Sequence, residues 1–239
     1  MPANPVANLL QLETMRTALL LLFCCTGFGA MLAAADREWT ADFEGDSFDG
    51  WAVPLPDNWL IAEEDGNKFL RLGEAGPIGA PRRPVMFAVW EPGCVADFVA
   101  EVKVRRKGRS LLIAFGFQDR LHYYYAHISS DNGDHAVHNG LFKVDGGERF
   151  RIAGAGSAPA LPTADWHHVR IIRETESGRI DVFMDGDSEP RFHVFDRSFA
   201  FGRVGIGSFD ETGDFDDFRL QGEVSGECQA DEVSALDPQ

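Results

Sequence analysis

The segment Asp97-Phe-Val-Ala-Glu-Val-Lys-Val-Arg105 alternates apolar and polar side chains without interruption. Because successive side chains of a β-strand point to opposite faces, the apolar residues at positions 98, 100, 102 and 104 share one face of a half-buried strand. A turn at Lys107-Gly-Arg109 then leads into a second apolar run over 110–119. The two runs predict consecutive β-strands joined by a short turn.

Short segments of the same kind continue on both sides of this pair, and no stretch past residue 38 shows helical periodicity. Turns rich in Gly and Asp, such as Asp65-Gly-Asn67 and Asp145-Gly-Gly147, separate them. Further strands are predicted at 39–43, 59–63, 68–72, 85–90, 121–129, 140–144, 148–153, 166–174, 179–185, 202–208 and 214–221. About a dozen short strands without an internal repeat predict one all-β domain, an antiparallel sandwich or barrel.

The charge balance excludes one class of partner. Among 239 residues, 38 are acidic and 22 are Lys or Arg, which gives a formal net charge of −16. A surface this acidic repels phosphate backbones and anionic membranes, so we expect no nucleic-acid partner. We expect the protein to be a monomer.

The N-terminus has the layout of a secretory signal peptide over residues 1–35. Arg16 precedes an apolar run at 18–23, and the small residues at 33–35 form a cleavage site before charged residues. Met15 is a candidate for the true start, and the alternative is an uncleaved membrane anchor. With cleavage, we expect a secreted or periplasmic protein that is not held at a membrane.

Export changes the interpretation of the cysteines. Two of the four cysteines leave with the signal peptide, so that Cys94 and Cys228 remain. In an oxidising compartment they can form a disulfide. The alternative is two free thiols, because Cys228 lies in the polar segment 223–239, which is predicted to be a disordered tail.

Three segments of the second half carry a family resemblance: Trp166-His-His-Val-Arg-Ile-Ile-Arg173, Gly178-Arg-Ile-Asp-Val-Phe-Met-Asp-Gly186 and Gly202-Arg-Val-Gly-Ile-Gly-Ser208. Their pattern resembles the concanavalin A-like lectin/glucanase superfamily, which includes laminin G-like domains. The opening Asp42-Phe-Glu-Gly-Asp-Ser-Phe-Asp-Gly-Trp51 is similar to exported bacterial domains grouped with 3-keto-disaccharide hydrolases and family 16 glycoside hydrolases. The resemblance implies a two-sheet antiparallel jelly roll over 36–222 that handles carbohydrate on its concave face. The laminarinase-type pattern Glu-x-Asp-x-x-Glu is absent.

The densest group of polar and aromatic residues lies at 118–151. Strand alternation places Tyr123, Tyr125 and His127 on one face and Ala126 and Ile128 on the other. Since the last two suit a core, the first three are expected on an open face, where aromatic rings and hydrogen-bonding groups suit sugars. The alternative is that the tyrosines only pack within the sheet.

These residues suggest how a glycan is bound or cleaved. No pair of carboxylates stands on the predicted open face, so a classical hydrolase is not indicated. His127 or Tyr125 could remove a proton next to a carbonyl or carboxylate, which suits a keto-sugar or uronate. Arg149, Gln118 or Asn139 would neutralise the developing oxyanion. The residues expected to bind the substrate are Gln118, Tyr123, His138, Asn139 and Arg151.

Acidic residues near the two ends of the domain suggest an ion site. Glu44, Asp214, Asp216 and Asp217 belong to first and last strands, which are neighbours in many jelly rolls, and calcium prefers oxygen ligands. The alternative is that these acids only contribute to the surface charge. We expect no organic cofactor.

Three function classes remain open at this stage. A deep groove with a perturbed histidine would favour a hydrolase or lyase. A shallow aromatic platform would favour a non-catalytic carbohydrate-binding domain. A groove filled by its own side chains would favour a laminin G-like interaction domain.

Overall fold

The computed structural model describes residues 36–134, 137–226 and 228. The predicted signal peptide and most of the predicted tail lie outside the described residues. The described residues contain one short 3-10 helix, Pro56–Asn58, and are otherwise strands and loops. Nothing in the described part of the chain is a helix long and apolar enough to cross a membrane.

Fifteen strands follow one another along the described chain. They are β1 (Asp36–Ala41), β2 (Trp51–Ala52), β3 (Trp59–Glu64), β4 (Asn67–Leu72), β5 (Met86–Trp90), β6 (Val95–Arg106), β7 (Ser110–Asp119), β8 (His122–Ser129), β9 (Gly140–Asp145), β10 (Phe150–Ala153), β11 (His167–Glu174), β12 (Arg179–Met184), β13 (Phe192–Phe195), β14 (Arg203–Ser208) and β15 (Gly213–Val224).

The strands form two antiparallel sheets, named here sheet A and sheet B. Sheet A has the order β13-β12-β11-β6-β15-β4-β3, and β1 also pairs with β15. Sheet B has the order β10-β9-β8-β7-β14-β5-β2. The chain crosses between the sheets at the turn that follows β6, so the two decisive sequence runs lie in different sheets. The all-β, two-sheet prediction is confirmed.

The strand predictions match the structure, with small shifts at most strand ends, and β1, predicted at 39–43, spans Asp36–Ala41. The short strands β2 and β13 were not predicted, because neither has enough residues to show alternation. Strand β15 continues to Val224, two residues past the predicted domain boundary at Gly222, because its last residues pair with β1 and with Val95.

The main core lies between the sheets and contains the predicted apolar face of β6. Residues 98, 100, 102 and 104 are all at most 5% exposed there. Ala126 and Ile128 of β8 pack into the same core from sheet B, as predicted. Burial of this continuous apolar surface is the main driving force that holds the sheets together.

The outer face of sheet A is covered by paired charges. The Asp214 side chain is fully buried and accepts hydrogen bonds from Arg71 (2.6 Å) and Arg105 (2.9 Å) on the two neighbouring strands. Burial alone would raise the pKa of Asp214, but these hydrogen bonds hold that pKa below its ordinary value.

The acidic residues predicted to bind calcium are held separately. Asp217 pairs with Lys103 (2.6 Å), Asp216 accepts from Asn67 (3.0 Å), and Glu44 accepts from a backbone amide. No group of three or more His, Cys, Asp or Glu side chains among the described residues could hold a metal ion. The predicted calcium site is therefore not formed, because protein donors already occupy these carboxylates.

Cys94 and Cys228 are joined by a disulfide, with an Sγ–Sγ distance of 2.02 Å. The bond closes a sequence separation of 134 residues and attaches the segment after β15 to the start of β6. The amide of Ser225 also donates to the carbonyl of Cys94 (2.9 Å). The start of the predicted tail is thus fixed to the domain.

We expect Cys228→Ser to lower the free energy of unfolding by about 2–5 kcal/mol, because the reduced chain gains loop entropy when it unfolds. Denaturant unfolding under oxidising conditions measures the difference. In a reducing buffer, the wild type and the variant should coincide. Equal stability of the two proteins under oxidising conditions would contradict the expectation.

Candidate functional site

The three residues predicted to share an open face of β8 do share one face, but that face is buried. Tyr123, Tyr125 and His127 do lie on the outer face of sheet B, opposite the main core. Their exposed fractions are 0%, 0% and 1%. The expectation of an accessible groove lined by these three side chains is therefore wrong, because a second apolar cluster fills this face.

A covering segment at 79–85 closes one part of the face. The hydroxyl of Tyr123 donates to the carbonyl of Pro84 (2.8 Å). The buried guanidinium of Arg83 donates to the carbonyls of Pro81 and Arg120 (3.0 Å each). These bonds satisfy polar groups that would otherwise be buried without partners, so the segment is held firmly against the sheet.

A second part of the face is covered by Arg149. Its guanidinium carbon lies 4.3 Å from the ring centre of Phe209 and 5.1 Å from that of Phe142. Its Nη1 atom donates to the hydroxyl of Tyr125 (3.1 Å) and approaches Nδ1 of His127 (3.4 Å). The three predicted catalytic residues, His127, Tyr125 and Arg149, are thus brought together, with the arginine above the other two.

Arg82 stands beside Arg149 on the same aromatic support. Its guanidinium carbon lies 5.0 Å from the ring centre of Phe209, and its carbonyl accepts a hydrogen bond from the amide of Arg149 (3.3 Å). Arg82 is exposed and Arg149 is half-buried. We call these two arginines, with Phe142 and Phe209 beneath them, the arginine patch.

The floor under the patch carries no charge at neutral pH. Burial, together with the positive charge of Arg149 and the neighbouring His138, holds the pKa of His127 well below its ordinary value. Burial raises the pKa of the Tyr125 hydroxyl, which outweighs the opposing effect of Arg149. His127 is therefore a neutral imidazole and Tyr125 a neutral phenol, and neither compensates the charge of Arg149.

A polar edge adjoins the floor at the end of β8. The ring of His138 lies 5.2 Å from that of His127 and is hydrogen-bonded to the carboxylate of Asp131. The side chains of His138 and Asp131 are each 20% exposed. Arg151 donates to the carbonyl of Gly133 (2.8 Å) and so supports this edge from behind.

The other predicted binding residues have structural positions. Asn139 is fully buried, donates to the carbonyl of Ala158 (2.7 Å) and accepts from the amide of Ala160 (3.0 Å). Gln118 donates to the carbonyl of Phe201 (3.3 Å). These contacts, like that of Tyr123 with Pro84, tie loops to sheet B.

Sequence reasoning missed Arg82, Phe209 and Ser110. Ser110 is buried, and its hydroxyl lies 2.9 Å from Nε2 of His127. Phe209 stacks on His127, with ring centres 6.2 Å apart. The signal for Arg82 was present as Arg82-Arg-Pro84, adjacent arginines in a segment with no strand pattern, and its position over β8 depends on the path of the covering segment.

A separate recess of about 500 Å³ lies on the outer face of sheet A. Phe69 and Trp166 contribute its aromatic lining, and the guanidinium of Arg105 lies 4.7 Å from the Trp166 ring centre. Arg105 is ion-paired with Glu64 and Asp214. This recess therefore differs from the arginine patch, because its arginine is already neutralised.

No protein-family model matches this chain, and no curated protein matches its sequence. Solved structures do match. The carbohydrate-binding module CBM66 from Bacillus subtilis is 18% identical, with a TM-score of 0.50 over 71% of this chain and 94% of that chain. A Bacillus subtilis protein of unknown function with a galectin-like fold is 14% identical, with a TM-score of 0.54 over 80% and 99%.

A third match comes from Parabacteroides distasonis and is provisionally described as a glycosyl hydrolase. It is 12% identical, with a TM-score of 0.51 over 77% of this chain and 99% of that chain. At these identities the likeness shows the fold and not the activity. The fold is the concanavalin A-like jelly roll that the sequence resemblance implied.

Proposed function

We propose that this chain is an exported domain that binds a glycan at the arginine patch without cleaving it. The observation that carries the proposal is the pair Arg82 and Arg149 on one aromatic support, with Arg82 exposed and Arg149 half-buried. Planar guanidinium groups donate hydrogen bonds in fixed directions, which suits the hydroxyl and acidic groups of sugars. The carboxylate of Asp131 and the imidazole of His138 supply further polar groups at the edge.

The burial of His127 and Tyr125 argues against proton transfer by these residues. A general base must come within hydrogen-bond reach of the proton that it removes, and both side chains lie beneath Arg149. Their pKa values also move away from the operating range of an acid or base near neutral pH. The elimination mechanism suggested by the sequence therefore has no accessible base in His127 or Tyr125.

A laminin G-like interaction domain is the second candidate. The outer face of sheet B is filled by its own side chains, and a filled face favours an interaction domain over a glycan-binding groove. Arg82 and Arg149 form the outermost layer of this cover, however, so their charged groups reach the solvent. A surface that lacks a groove but presents such groups suits a short segment of an extended ligand better than a flat apolar partner.

Export is part of the proposal. The signal-like pattern over 1–35 supports secretion or transport to the periplasm. The Cys94–Cys228 disulfide agrees with it, because such bonds persist in oxidising compartments.

We expect the full chain to bind at least one polysaccharide in a panel of neutral and acidic glycans. Arg149→Ala should weaken that binding about tenfold or more, because it removes a charged donor at the centre of the patch. Binding to the immobilised glycan measures affinity, and mass spectrometry of the supernatant tests for cleavage.

Arg170→Ala is the matched control, because Arg170 also stacks on a phenylalanine, Phe183 (4.5 Å), but on sheet A. It should leave binding unchanged, and thermal unfolding should show that both variants are folded. If the chain binds no glycan in the panel, the proposal is overturned. Release of a soluble product would overturn its non-catalytic part.

The neutral state of His127 is testable by NMR. We expect its imidazole signals to stay at their neutral positions between about pH 8 and pH 5, the range in which a free imidazole titrates. Because the unfolded histidine takes up a proton that the buried one does not, this site lowers the stability of the fold as the pH falls below the ordinary imidazole pKa. Half-protonation of His127 near pH 6.5 would contradict the expectation.

A further inference from the structure

We infer that the glycan bound at the arginine patch is acidic and that its carboxylate or sulfate groups bind to Arg82 and Arg149. This inference rests on the proposed function and names its ligand class. Three features support it: neither arginine has an ion pair among the described residues, both contact the ring of Phe209, and the groups beneath Arg149 are uncharged.

Several arginines of the described chain form ion pairs with carboxylates, and others, such as Arg106 and Arg173, donate to backbone carbonyls. Those with an ion pair are Arg71, Arg105, Arg109, Arg179, Arg191 and Arg219. Arg82 and Arg149 have no carboxylate within ion-pair distance among the described residues. In a chain with 38 acidic and 22 basic side chains, such pairing would be easy to provide.

The two guanidinium groups also contact the same aromatic ring. Both lie within 5.0 Å of the ring centre of Phe209, and a backbone hydrogen bond joins the two residues. Two like charges that contact the same ring repel each other, and an anion that contacts both relieves the repulsion. Cation–π contact with Phe209 holds the groups in place but does not neutralise them.

The groups beneath Arg149 do not supply that anion. His127 is neutral and Tyr125 keeps its proton, so the floor carries no negative charge to compensate Arg149. Arg149 uses Nη1 for Tyr125 and His127, and its Nε and Nη2 atoms make no hydrogen bond to a described residue. Carboxylates and sulfates match the donor geometry of such a guanidinium.

The net charge of −16 limits the kind of anion that fits. Repulsion from the whole chain disfavours a long polyanion at low ionic strength. At physiological ionic strength the Debye length is about 8 Å, so a short acidic oligosaccharide responds mainly to the groups that it touches. A few acidic sugar units are therefore a better probe than a polymer.

The test compares oligosaccharides that differ only in charge, with titration calorimetry on the full chain. One pair is trigalacturonate and its fully methyl-esterified form, and the other is a sulfated galactan trisaccharide and its desulfated form. We expect at least one charged member to bind about tenfold tighter than its neutral partner. Which one does so distinguishes a carboxylate ligand from a sulfate ligand.

Arg82→Gln should reduce that ratio severalfold without unfolding the chain, because the Arg82 side chain is exposed and lies on the surface of the Phe209 ring. Arg170→Gln on sheet A is the control and should leave the ratio unchanged.

Equal binding of charged and neutral members would overturn the inference while leaving the proposed function in place. Failure of both charged members to bind would also overturn it, and the polysaccharide panel then decides the proposed function separately. Equally tight binding of triglutamate would overturn the assignment to a sugar.

Discussion

The burial of sheet B on both of its faces is the constraint on which the rest of the site depends. Strand β7 is buried along its first eight residues, and β8 is buried from Tyr123 to Ser129. One face packs into the main core, while the other needs its own cover. The covering segment at 79–85 and the residues around Phe209 and Arg149 provide it. The proposed binding surface is therefore the outer side of a structural cover.

This origin explains why arginines form the surface. A side chain that covers aromatic rings and also meets solvent must be apolar along its length and polar at its tip, and arginine meets both needs. The guanidinium plane also stacks favourably on an aromatic face. On sheet A the same residue type performs a different task, because Arg71 and Arg105 hold the buried carboxylate of Asp214 across neighbouring strands.

The sequence predicted the strands and the faces of β8 correctly, but not the burial of its second face. Alternation shows which residues share a face, and it placed Tyr123, Tyr125 and His127 together. The signal for the cover was the run Leu111-Leu-Ile-Ala-Phe115, which is apolar without alternation, as in strands buried on both sides. Which segment covers that face depends on long-range packing, and no local pattern identifies 79–85 or Phe209 as its neighbours.

The same cover removes the predicted catalytic pair from contact with solvent. If Tyr125 and His127 were exposed to solvent, they would form a reactive pair beside an arginine. The elimination mechanism suggested by the sequence assumed this exposure. Burial favours the uncharged form of each group and removes both from reach of a substrate. What remains accessible is the positive charge of Arg82 and Arg149, with a neutral floor beneath Arg149. Such a pair of guanidinium groups favours contact with an anion, while the imidazole of His127 and the phenol of Tyr125 stay beneath it.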